Sequence, residues 1–199
     1  APGPHTVPCA DELVSVVEGA YVVPTQAARE ARIRAGVAAA EAATGYAAEL
    51  PAKTLTEVIN LSEYPTVMVG TFDEEFLKVP EEIIVDAMLM HQRYFPLYDG
   101  GKLTNKFIIV SNGDPAHEAT IVDGNERVVA ARLYDAKFFY EEDLKQPLEA
   151  YVSRLDEVVF QETLGTMRDK TERVVKLSAR LVAQAGLAPE EMRDIARAA

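Results

Sequence analysis

With 199 residues, 48% of them apolar, the chain can bury a sizeable core, and its length fits one domain with an appendage. No apolar run approaches the roughly 20 residues that span a bilayer, the start lacks a basic segment followed by an apolar one, and the single cysteine, Cys9, excludes an internal disulfide or a cysteine-based zinc cluster. A formal charge of −12 argues against phosphate binding by the surface as a whole, because that affinity comes from lysine and arginine displacing counterions.

In chain order, Thr25 is placed to cap a helix over residues 26–44 that Gly45 ends. Ala27, Ala31 and Ala38 with Ile33 and Val37 offer it a shallow packing face, and Arg29, Arg32 and Arg34 are expected in solvent. Leu55, Val58, Ile59 and Leu61 have helical spacing over residues 54–62. Pro65 breaks that helix, and TVMVGT at residues 66–71 reads as a buried strand. Pro80 with Glu81 and Glu82 opens a helix running to about Gln92, packed through Ile83, Ile84, Ala87, Met88 and either Met90 or His91.

Residues 94–98 and 106–111 are two β-rich stretches, and Asp99-Gly100-Gly101-Lys102 between them tolerates the positive φ of a tight turn. Tyr94, Phe95, Phe107, Ile108 and Ile109 are the expected core anchors, with His91 and Arg93 at the margin. After the turn Asn112-Gly113-Asp114-Pro115 the chain becomes helical. Residues 126–139 form one helix with Val128, Val129, Ala131, Leu133 and Ala136 buried and Arg127, Arg132 and Lys137 wet. A helix over 148–155, a connection at 158–160, a long helix from 166 to about 185 stopped by Gly186, and a last helix opened by Pro189-Glu190-Glu191 complete the order. The expected fold class is α+β: a mixed sheet with packed helices over residues 1–164, followed by a helical C-terminal extension over 165–199.

The run MHQRYFPLYDGGKL at 90–103 is too polar for a plain core hairpin, and KFIIVSNG follows two residues later. Together with GNERVV at 124–129, LYDAKFF at 133–139, DLK at 143–145 and FQETLG at 160–165, it resembles the beta subunit of bacterial heterotetrameric glycyl-tRNA synthetase. The resemblance runs from about His5 onward and is strongest from Pro65 to Lys176. It covers only an internal part of a longer family sequence, so the chain reads as an excised piece. It implies ATP-dependent attachment of glycine to its tRNA in the cytoplasm. The adenylate chemistry would sit in a separate alpha subunit, and ATP and magnesium would serve the whole enzyme, with no cofactor in this piece. The implied partners are that alpha subunit and tRNA, with no DNA and no membrane. The resemblance also suggests a fold analogy between the mixed portion and the editing-type domain of the phenylalanyl-tRNA synthetase beta subunit. The extension would lead toward a missing helical domain.

No Gly-x-Gly-x-x-Gly follows a strand and no Gly-x4-Gly-Lys-Ser/Thr loop occurs, so nucleotide binding has no motif here. His91 could exchange protons and Arg93 could hold a phosphate, but no triad accompanies them, and a structural role at a helix end is the competing reading. Asn112 and Asn125 read as turn residues, and three dispersed histidines give no metal spacing. No catalytic residue is assigned. Arg132 can pair with Asp135, and Arg127 can contact Ala131 and Asp135 along the adjacent face.

Between Leu164 and Arg180, five basic residues outnumber Asp169 and Glu172 in an otherwise acidic chain. Lys170, Arg173 and Lys176, three apart, share a slowly turning helical face that Arg180 extends, and phosphate binding tolerates such drift. The competing reading is a solvated face with ion pairs such as Asp169 with Arg173. Function therefore stays between a non-catalytic, tRNA-positioning or subunit-joining part of a synthetase and a standalone adaptor or small-ligand-binding α+β domain. Hydrolytic editing is a third possibility, for which glycine, the smallest amino acid, leaves little physical need.

Overall fold

A computed structural model describes residues 3, 4 and 6–186. The chain divides into two units, Ala1–Tyr140 and Glu141–Ala199. The division falls before Leu164 because the segment from Leu148 to Thr166 packs with the helix that follows it.

The first unit carries α1 (Leu13–Gly19), α2 (Gln26–Thr44), β1 (Ala47–Ala48), α3 (Ala52–Leu61), β2 (Thr66–Thr71), α4 (Glu81–Asp86), β3 (Phe95–Asp99) and β4 (Lys102–Ser111). α5 (Glu118–Asp143) begins in this unit and ends just past its border. The strands form one sheet in the order β1-β3-β4-β2, antiparallel throughout rather than mixed. The fold is α+β.

The apolar run of β4 is continuous because both sheet faces are covered, so successive side chains enter different cores. Leu103, Phe107 and Ile109 join Met68, Phe72, Phe76, Ile84, Met88, Tyr94, Val129 and Leu133 on one face. Ile108 joins Ile33, Val37, Leu55, Val58, Phe95 and Leu97 on the other. All five expected anchors of the hairpin are buried. Its two-residue turn places Gly100 at φ 55° and Gly101 at φ 87°, and Asp99 pairs with Lys102 across it.

α2 has the expected ends: Thr25 Oγ1 accepts from the Ala28 amide, and Gly45 closes it at φ 76°. Its buried face, however, is Ile33, Val37 and Ala40, while Ala27, Ala31 and Ala38 are exposed. Gly36 belongs to the inner face, since a Cβ there would lie 2.6 Å from Val67 Cγ2, closer than atoms can approach. The glycine thus sets how near α2 sits to β2. Arg29 departs from the solvent expectation, and Arg32, though exposed, is also tied to the backbone. Arg29 donates to the carbonyls of Ile59 (2.7 Å) and Val23 (2.9 Å), and Arg32 donates to that of Pro65 (2.7 Å) with its guanidinium 3.9 Å from the Tyr64 ring centroid. Both satisfy carbonyls at the ends of neighbouring segments. Arg32 and Arg34 are both exposed as expected, Arg34 paired with Glu30 on the surface.

Phe76, on a 3-10 turn over Glu74–Lys78, is an anchor that periodicity does not reveal. The helix after Pro80 reaches Gln92, but its last turn, Ala87–Gln92, is wound as a π-helix, which changes the periodicity of its faces, and neither Met90 nor His91 packs it down: both are exposed. α5 starts earlier and ends later than its expected span. Val129 and Leu133 are its buried residues, whereas Val128 and Ala131 are exposed. Lys137 is half-buried beside Glu75 (3.5 Å), and Arg127 pairs back with Asp123 (2.7 Å) rather than forward with Asp135.

Burial, with the carboxylates of Glu49 and Glu81, pushes the Tyr98 phenol up to about 12. The folded state therefore favours the protonated phenol, whose unfolded value is about 10. Its contribution to stability is present below pH 10 and is lost as pH rises toward 12. An alkaline absorbance titration should show an ionisation near pH 12 that Tyr98→Phe removes, and that variant should lose less stability than the parent between pH 10 and 12. An unchanged titration would show that Tyr98 is solvated.

In the second unit, the expected helix at 148–155 is a 3-10 helix, Leu148–Asp156. The connection after it is a strand, β5 (Val159–Gln161), paired antiparallel with β6 (Gly165–Thr166). α6 (Met167–Gln184) follows, and Gly186 lies at φ 71°. The helix expected at Pro189-Glu190-Glu191 lies outside the described residues.

Candidate nucleic-acid interface

α6 begins at a reciprocal cap. Thr166 Oγ1 accepts from the Asp169 amide (3.2 Å), and the Asp169 carboxylate accepts from the Thr166 amide (2.8 Å). The backbone bond from Thr166, then its hydroxyl, hold the Asp169 carboxyl below its usual range, with a smaller effect from the Arg173 charge. Asp169 is thus committed to the cap rather than to a direct ion pair with Arg173.

The basic residues of this segment fall into two groups. Arg168 is paired with Asp156 (3.4 Å) and Glu172 (3.6 Å), and Lys170 is half-buried with its ammonium 4.7 Å from the Phe160 ring centroid. Arg173, Lys176 and Arg180 are exposed and make no ion pair among the described residues. At about 100° per residue, Lys176 lies about 60° and Arg180 about 20° from Arg173, over roughly 10 Å of helix. Of the four sequence candidates, these three make one free cationic strip, and Lys170 stands at its edge against an aromatic ring. Leu177 and Leu181 are exposed on the same helix.

His91 and Arg93 do not form one site. Arg93 ends the π-helical turn at φ 59° and donates to Glu57 Oε2 of α3 (2.8 Å), so its charge is matched within the fold. His91 is exposed and lines an open cavity of about 450 Å3 between the π-helical turn and α5, with Glu82, Asp86, Arg132, Asp135 and Phe139. The acidic residues there outnumber Arg132, and His91 makes no side-chain hydrogen bond among the described residues. No nucleophile and base are brought together at this corner.

Two asparagines have structural partners that turn chemistry did not suggest. Asn112 Oδ1 accepts from the Tyr64 amide (2.7 Å) across 48 residues of sequence. Asn125 lies inside α5, where its side chain accepts from the Tyr94 hydroxyl and donates to the Ile121 carbonyl (2.6 Å). Among the described residues, no group of three or more His, Cys, Asp or Glu side chains is placed to hold a metal, and no helix is long and apolar enough to cross a membrane.

The family model described as "Glycyl-tRNA synthetase beta subunit" matches residues 1–199. The chain is 45% identical to the glycine–tRNA ligase beta subunit of Picosynechococcus sp. over 200 residues, covering 99% of this chain and 28% of the relative. It is 46% identical to that of Moorella thermoacetica over 183 residues (92% and 26%) and 41% identical to that of Trichodesmium erythraeum over 196 residues (96% and 27%). The chain thus spans less than a third of the length of the curated relatives it matches. It belongs to the glycyl-tRNA synthetase beta-subunit family.

Proposed function

We propose that this chain is a non-catalytic, tRNA-handling part of a cytoplasmic glycine–tRNA ligase, the enzyme that joins glycine to its tRNA at the expense of ATP. The adenylate chemistry, with its ATP and magnesium, belongs elsewhere in the enzyme, beginning with an alpha-subunit partner, and DNA is not a ligand. The observation that carries this reading is the strip of Arg173, Lys176 and Arg180: three exposed cations that make no ion pair among the described residues, in a chain of net charge −12. Such an excess has a use if the missing counter-charges are phosphates. The exposed Leu177 and Leu181 favour a second reading, in which the same helix face is covered by protein and RNA is not touched.

A salt titration of tRNA binding by the 199-residue chain separates the two. Three phosphate contacts predict that log K falls by about two to three for each tenfold rise in salt. A flat salt dependence, or no saturable binding at low salt, would favour the protein-contact reading.

A further inference from the structure

In the first unit, a cavity of about 360 Å3 lies between the end of α1 and the turn after β4, lined by Tyr21, Glu63, Tyr64, Asn112, Asp114 and Pro115 among others. That volume is within the range of small-ligand sites, roughly 300 to 1,000 Å3. Tyr21 and Tyr64 meet at right angles there, with ring centroids 5.4 Å apart and planes at 86°. Tyr64 is held from behind by the Arg32 guanidinium, 3.9 Å from its centroid, and its amide is fixed by Asn112. Tyr21 sits at φ 62°, a backbone conformation that bulky residues avoid, yet its side chain is 65% exposed. That angle is the left-handed position that closes α1, where the Val22 amide donates to the Val17 carbonyl (3.0 Å), and it leaves the ring in the cavity wall. The neighbouring backbone holds it there: the Tyr21 amide donates to Glu18, and Val23 donates to Glu63 (2.8 Å).

Two perpendicular aromatic walls offer a planar ring one surface to stack on and a second to bound its edge. The polar part of the lining is acidic. Glu63 makes no ion pair among the described residues, and Asp114 spends one oxygen on the Ala116 amide (2.9 Å). Arg32 is committed to the Pro65 carbonyl and Tyr64, so the lining offers no free cation to a phosphate. A base fits where a phosphate does not. Carboxylate oxygens accept N–H donors, and guanine presents two adjacent ones, N1–H and N2–H, on its Watson–Crick edge. Uracil presents one N–H flanked by two carbonyls that a carboxylate repels. We propose that this cavity takes an unpaired guanine of a single-stranded RNA segment, stacked on the exposed ring of Tyr21 and bounded by Tyr64, with its donor edge toward Glu63.

The test compares binding of the single-stranded pentamers UUGUU and UUUUU to the 199-residue chain by fluorescence anisotropy, with saturation-transfer NMR on guanosine and uridine. UUGUU should bind roughly tenfold more tightly, the discrimination that a paired set of hydrogen bonds to one base edge provides. Tyr21→Ala should abolish that preference, Tyr21→Phe should keep it, and Glu63→Gln should reduce it without removing stacking. Circular dichroism reports whether Tyr21→Ala remains folded, and if it does not, Tyr21→Phe and Glu63→Gln decide. Equal binding of the two pentamers overturns the proposal, as does a preference that survives both Tyr21→Ala in the folded state and Glu63→Gln. The result is independent of the α6 strip: the preference at fixed salt should survive Arg173→Glu with Lys176→Glu. Its absence alongside salt-dependent tRNA binding would defeat this proposal alone.

Discussion

Replacing Phe107 by alanine is expected to cost the first unit roughly 3 to 5 kcal/mol of folding free energy, a large part of the stability of a domain this size. Phe107 has no exposed surface, lies at the centre of β4, and pairs with Gly70 on one side and Pro96 on the other. Its ring is 5.1 Å from that of Tyr94 and 6.4 Å from that of Phe72. It also covers Gly70, where a Cβ would come within 2.7 Å of Phe107 Cζ, so the glycine and the ring occupy one packed volume. Alanine would leave a cavity that this sheet, fixed by antiparallel partners on both sides, cannot close. His91→Ala removes an exposed side chain without a hydrogen-bond partner among the described residues, and its effect should fall within about 0.5 kcal/mol. Chemical denaturation of both variants tests the pair. Similar losses would mean that the hairpin's inward and outward sides are misassigned.

The segments legible in the sequence are those whose signals are local. Thr25 and Gly45 mark both ends of α2, the apolar run of β2 has its strand at residues 66–71, and Gly100-Gly101 gives the hairpin turn. Thr166 likewise stands where the cap of α6 forms. What escaped depends on tertiary partners. The inner face of α2 is decided by how closely Gly36 approaches Val67, and an alanine-rich helix shows too little contrast between its faces to announce it. Arg29 looks like a solvated charge until the carbonyl of Ile59 is brought to it, and the bond of the exposed Arg32 to the Pro65 carbonyl has no local signal either. β5 and β6 are too short to carry a period, and the 3-10 turn that buries Phe76 has none to show. For the candidate interface, charge counting identified the segment but could not divide it. Lys170 is set apart by Phe160, ten residues earlier, and Arg168 by Asp156, twelve residues earlier. The Tyr21 and Tyr64 corner had no sequence signal, because a left-handed tyrosine is visible only as a backbone angle.

Changing Arg173 and Lys176 together to glutamate in the complete beta subunit, assembled with its alpha subunit, should weaken tRNA binding by one to two orders of magnitude at low salt. The two positions are exposed, so the substitutions remove no core contact of α6, and its cap at Thr166 and Asp169 is held by their mutual hydrogen bonds, with only the smaller pull of the Arg173 charge lost. Helix content and melting should therefore change little, which separates lost binding from lost folding. Each phosphate contact contributes about one to the slope of log K against log salt, so the double variant should show a dependence shallower by about two. The curves of parent and variant then converge as salt rises, a signature that a general loss of active protein would not produce. Lys170→Ala should act more weakly, because its ammonium is already engaged by Phe160. Glycyl-adenylate formation, which needs no tRNA phosphate, should be nearly unchanged. Normal tRNA affinity across the salt series would exclude the strip from the RNA interface. A loss that is equal at all salt concentrations would instead assign Arg173 and Lys176, with the exposed Leu177 and Leu181 beside them, to a protein contact on which the assembly depends.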